Sequence, residues 1–140
     1  MRSLGQKDFD PAKAIVRVGT TIESAFDDMS AYLATGPDLP TAFFADNDII
    51  AAGCMRALAK AGIRVPEDVS IVGFDDIDLA AFSAPPLTTV AQPKLQIGTL
   101  AAEMLLERVK TGRREARRVI LEPQLKVRGS TAIHQPRKAS

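Results

Sequence analysis

Short β-branched or aromatic runs alternate with helix-length amphipathic stretches along the whole of this 140-residue chain. That order is the pattern of a parallel sheet flanked by helices, an α/β fold. Ile15-Val16-Arg17-Val18 reads as a short strand ending at Gly19. Thr20 and Glu23 then form a capping box for a helix whose apolar face is Ile22, Phe26, Met29 and Leu33. Gly36-Pro37 stops that helix, and Thr41 to Ala45 is an uninterrupted apolar run, as expected of a strand covered on both faces. Asp48 is placed to cap a helix from Ile49 to Ala61, closed by Gly62. Ser70 to Phe74 reads as a buried strand, and Asp75-Asp76 open a loop that runs to Pro85-Pro86. Thr88 to Val90 is a further short strand. A helix then runs from Gln92-Pro93 to Gly112 with an apolar stripe through Leu95, Leu100, Met104 and Leu105. Val119 to Leu121 and Leu125 to Val127 read as closing strands around Pro123. Met1 to Gly5 has the look of a final helical turn, and the polar tail from His134 is expected to fray.

A formal net charge of +1 gives no electrostatic footprint for gripping phosphates. The local excess at Arg113, Arg114, Arg117 and Arg118 is broken by Glu115 and follows Gly112, so it reads as a solvated loop. One cysteine, Cys54, excludes an internal disulfide, and with His134 as the sole histidine no zinc site can be assembled from these two residue types. The composition suits a reducing cytoplasm. No stretch is apolar for long enough to span a bilayer, so no membrane association is expected.

In open α/β sheets ligands bind beyond the carboxyl ends of the strands. Two strands here deliver polar clusters to that edge: Asp46-Asn47-Asp48 after Ala45, and Asp75-Asp76 after Phe74. Together, carboxylates and an amide accept and donate hydrogen bonds, which suits the vicinal hydroxyls of a sugar. The same residue types also serve as turn and cap residues. That simpler role is preferred for Asp48, and for Asp46 and Asp76 the two readings stand level. Spacing alone makes binding the minority reading for Asn47 and Asp75. His134 has no Ser or Cys constellation around it, so no catalytic residue is assigned. The four aspartates suggest magnesium chemistry only in a small hydrolase, and the nucleophile and phosphate-binding turn such an enzyme needs are not visible. Neither a metal nor another cofactor is expected.

Three linked segments carry a family resemblance: Ala45 to Asp48, Gly62 to Asp76 and Pro86 to Pro93. They resemble, in order and spacing, the effector-binding domain of lactose-repressor-type transcription regulators (the LacI/GalR type), and Leu125 to Thr131 fits that family's final strand and tail. The resemblance implies a type I, periplasmic-binding-protein-like (flavodoxin-like) fold of two α/β subdomains with a small-molecule effector, a sugar or polyol, between them. It assigns residues 1–92 and 123–140 to the second subdomain, and 93–122 to a crossover helix and strand that pack in the first. Asn47 and Asp75 match effector-bonding positions, Gln92 matches the crossover beside the pocket, and Thr20 stands where many members place an aromatic against the ligand. The implied protein is a cytoplasmic homodimer that touches DNA only through a domain absent from this sequence. Its dimer contacts involve the helix Ile49 to Ala61 and the loop Leu79 to Pro85, with Ile50 and Phe82 as apolar contributors. A periplasmic sugar-binding protein of a transporter is the alternative reading of the same fold.

Overall fold

The computed structural model describes residues 14–133. The expectations for Met1 to Gly5 and for the tail from His134 lie outside that range. Four strands, β1 (Ala42–Phe44), β2 (Ser70–Phe74), β3 (Thr88–Ala91) and β4 (Gln124–Lys126), form one sheet in sequence order. The first three run parallel, with Phe43 opposite Ile71 and Gly73 opposite Thr89. β4 pairs antiparallel to β3, so the sheet is mixed and not wholly parallel. The helices are α1 (Ile22–Ala34), α2 (Asp48–Lys60), α3 (Asp78–Phe82) and α4 (Lys94–Thr111).

The starts of α1 and α2 follow local side-chain chemistry, each shifted by one residue from the sequence expectation. The capping box of α1 is Thr21 with Ser24, not Thr20 with Glu23, because the Thr21 hydroxyl accepts from the Ser24 amide at 3.1 Å and Ser24 Oγ accepts from the Thr21 amide at the same distance. The cap of α2 is Asn47, whose Oδ1 accepts from the Ile50 amide at 2.9 Å. That leaves Asp48 with a different task, taken up below. Gly112 closes α4 in the left-handed conformation that a glycine C-cap requires.

The core lies between α1, α2 and the sheet, built from Ala25, Met29, Ala51, Leu58, Ile71 and Leu87. A Cβ on Gly53 would sit 2.6 Å from the Ile22 carbonyl oxygen and 2.7 Å from Ala25 Cβ, so the absence of a side chain sets how closely α1 and α2 approach. Phe26 at the same seam lies under the Arg56 guanidinium and the Lys60 ammonium, 5.0 and 5.1 Å from the ring centre. The C-terminal segment is sewn to the starts of β2 and β3 by buried Ser130, whose Oγ accepts from the Thr88 amide at 2.8 Å and donates to the Ile71 carbonyl at 2.6 Å.

Four further expectations need correction. Ile15 to Val18 joins no sheet. Val16 and Val18 pack on the core, and a groove of about 840 Å³ is lined both by Ala14 to Val18 and by Ala42 to Asp46. β1 is therefore an edge strand with Phe44 63% exposed, and it is not covered on both faces. Val119 to Leu121 forms no strand and pairs with none of the four described strands, and Ile120 is largely exposed. The loop after Asp76 also holds the short helix α3. Ile50 belongs to the core, whereas Phe82 stands 86% exposed.

Cys54 lines the groove, yet its side chain is buried, and burial pushes the thiol from about 9.0 up to about 11. At neutral pH the thiolate fraction falls with that shift by about a hundredfold. Alkylation of the folded chain by iodoacetamide at pH 8 should therefore run about a hundred times slower than in urea, with equal rates counting against the burial. The sign for stability follows. The neutral thiol is the form the fold favours, so its contribution is intact below pH 9 and is lost as the pH rises through 11.

Candidate effector site

Parallel pairing of β1, β2 and β3 brings three carboxyl ends side by side. Asn47 lies three residues beyond β1, Asp75 one beyond β2 and Gln92 one beyond β3. The positions singled out in the sequence thus share one edge of the sheet. Gln92 Nε2 donates to Asp75 Oδ1 at 2.5 Å, joining the ends of β2 and β3 through their side chains. The Asp75 amide donates to the Val90 carbonyl at 2.9 Å, which fixes the turn from the same neighbour.

Asp75 and Asp76 have φ values of 108° and 51° and are the only non-glycine residues with positive φ among those described. A side chain in that region costs about 1–3 kcal/mol and persists only where the surroundings impose it. Glycine would relieve the strain at either position, so a turn requirement alone does not account for two aspartates in succession. Asp76 has a structural occupation: its Oδ1 pairs with Arg128 Nη2 at 2.6 Å, both side chains being about three-quarters covered. Arg128 also donates to the Leu87 carbonyl and, through its amide, to the Thr88 hydroxyl. Asp75 engages only Gln92 through its side chain among the described residues, which leaves further acceptor capacity on its carboxylate.

Asn47 spends Oδ1 on the helix cap, and its Nδ2 makes no hydrogen bond among the described residues. A donor, at Nδ2, and an acceptor, at Asp75, are thus offered at one edge. Thr20 is exposed just before α1, and no hydrogen bond joins it to the other three. Asp46 is exposed and lines the groove beside β1, whereas Asn47, Asp75 and Gln92 are not among its lining residues. The groove is walled by Met29, Phe43, Ile50 and Ile71, with Arg17, Tyr32, Asp38 and Asp46 also on its lining. The strand-end cluster differs from the groove in bringing an amide donor and a carboxylate acceptor from separate strands to one edge of the sheet. Among the described residues no three His, Cys, Asp or Glu side chains are grouped to hold a metal ion, because Asp48 and Asp76 are turned to other partners.

Sequence reasoning missed Arg128 and the buried part played by Asp48. An arginine in a terminal segment carries no local signal of a partner 52 positions away. For Asp48, its place beside a better cap, Asn47, was the available clue.

The periplasmic binding protein-like domain matches residues 3–131. The HTH-type transcriptional repressor PurR of Haemophilus influenzae (strain PittEE) is 41% identical over 133 residues, covering 89% of this chain and 40% of the repressor. A LacI family transcriptional regulator from Enterococcus faecium with bound ribose superposes with a TM-score of 0.73 at 34% identity, over 84% of this chain and 42% of that one. The transcriptional regulator CelR in complex with cellobiose gives 0.77 at 35% identity, over 88% and 37%. This chain therefore spans about two fifths of the length of the relatives it matches. With the domain matched over nearly all its length, the chain belongs to the periplasmic binding protein-like family in the form carried by lactose-repressor-type regulators.

Proposed function

We propose that this chain is the effector-binding part of a transcription regulator, in which a small sugar or polyol biases the parent protein between DNA-bound and released states. Asn47 Nδ2, the Asp75 carboxylate and the Gln92 side chain hold its hydroxyls, and Thr20 lines the ligand. The observation that carries the reading is Asp75, kept at φ 108° and braced by Gln92 at 2.5 Å. Relatives named as repressors, and solved regulators with ribose or cellobiose bound, support the ligand class. The site binds its ligand and does not transform it. DNA contact belongs to another part of the parent protein, whose place is the cytoplasm, and no helix among the described residues is long and apolar enough to cross a membrane.

Residues 1–92 and 123–140 form one half of a two-part clamp, and 93–122 belong with the other half. α4 supports this division, because none of its residues is buried and Leu95, Leu105, Leu106 and Val109 are exposed. An open half-clamp binds in the millimolar range, equivalent to about 4 kcal/mol. Titration of the chain with D-ribose and with cellobiose, followed by backbone amide shifts, tests the reading.

The parent protein acts as a homodimer. The isolated chain should also self-associate through its uncovered apolar surfaces, with light scattering giving a dimer or larger species. A monomer at high concentration would contradict that expectation.

A further inference from the structure

Asp48 is a charged residue with no exposure to solvent, and it is not the cap of its own helix. Its Oδ2 accepts from the Ile77 amide at 2.9 Å and its Oδ1 from the Thr89 hydroxyl at 2.6 Å. These partners lie 29 and 41 residues away, on the loop after β2 and on β3. A Cβ on Gly73 would fall 2.3 Å from the same Oδ1, so the carboxylate occupies space that only a glycine leaves open.

The contacts are close in sequence to every strand-end residue of the candidate site. Asn47 is the neighbour of Asp48, Asp75 is two residues before Ile77, and Gln92 is three after Thr89. A buried carboxyl group with both oxygens bonded is held in place, because releasing either bond leaves a buried polar oxygen without a partner. We infer that Asp48 is the positioning residue of the effector site: by bonding Ile77 and Thr89 at once it sets the spacing of Asn47, Asp75 and Gln92 before any ligand arrives. This rests on the sugar-binding reading for its purpose, though the geometry is tested without ligand.

The experiment compares amide exchange and side-chain contacts by NMR in the 140-residue chain and its Asp48→Ala, Asp48→Asn and Thr89→Val variants. Asp48→Ala should speed exchange at Ile77 by about a hundredfold and abolish the contact between the Gln92 side-chain amide and Asp75, while Leu58 and Ile71 keep their protection within about threefold. Asparagine should rescue both readouts, since its Oδ1 can accept from Ile77 and its Nδ2 donate to the Thr89 oxygen. If Asp48→Ala does not fold, Thr89→Val decides, being expected to weaken the Gln92–Asp75 contact while the core stays protected. A contact that persists in the folded variants, or protection lost everywhere together, overturns the inference. Loss of the contact with ribose and cellobiose shifts unchanged would keep Asp48 as the organiser of this edge and remove the edge from sugar binding.

Discussion

Gly53→Ala should destabilise the chain by about 1–3 kcal/mol, and Gly53→Val by more than about 3 kcal/mol, in urea melts followed by circular dichroism. The sign is the informative part. Alanine in a helix interior is ordinarily better than glycine by about 1 kcal/mol, so an exposed or loosely packed position would respond in the opposite direction. Here the added carbon meets the Ile22 carbonyl at 2.6 Å and Ala25 Cβ at 2.7 Å, both on the backbone or first carbon of α1, where no flexible side chain can move aside. α1 must shift, and with it Ala25 and Met29 leave their places in the core. Valine adds two methyl groups to the same gap and stiffens the helix at that position. A stabilised Gly53→Ala variant would mean that α1 is not seated on α2 as described.

Asp75→Gly should separate stability from binding. Relief of the positive φ is worth about 1–3 kcal/mol, against about 0.5–1.5 kcal/mol for the lost bond from Gln92, so the variant should melt at or above the parent temperature. Sugar binding should fall by about twofold to tenfold, because a carboxylate accepting from hydroxyls in a cleft open to water contributes about 0.5–1.5 kcal/mol per bond. Calorimetry and the same sugar titration read the two effects. A variant that is more stable and binds equally well would show Asp75 to be a turn residue alone.

Much of this was legible in the residues because local signals and the tertiary fold agree over the middle of the chain. Ser70 to Phe74 carries the β-branched pair Ile71-Val72 and the aromatic Phe74 ahead of Asp75-Asp76, and the strand has those limits. Gly62 and Gly112 mark helix ends with φ of 76° and 65°. Strand ends followed by Asp and Asn pointed to the edge where Asn47, Asp75 and Gln92 lie. What escaped was set by distant partners. Whether Ile15 to Val18 pairs depends on which backbone lies beside it, not on its own residues, and the direction of β4 follows from where the chain returns after α4. Thr21 rather than Thr20 caps α1 because both fit the local pattern and packing decides by one residue. The roles of Asp48 and Arg128 depend on contacts 41 and 52 residues away, which no local pattern encodes.

The most direct measurement is the map of amide shifts as D-ribose or cellobiose is raised to about 100 mM, well above a millimolar dissociation constant. Saturable shifts concentrated at Asn47, Asp75, Asp76 and Gln92 are expected, with weaker binding in Asp75→Gly. Shifts centred instead on the groove residues Val16, Phe43 and Cys54, or no saturable shift at the strand ends with either sugar, would contradict the strand-end site.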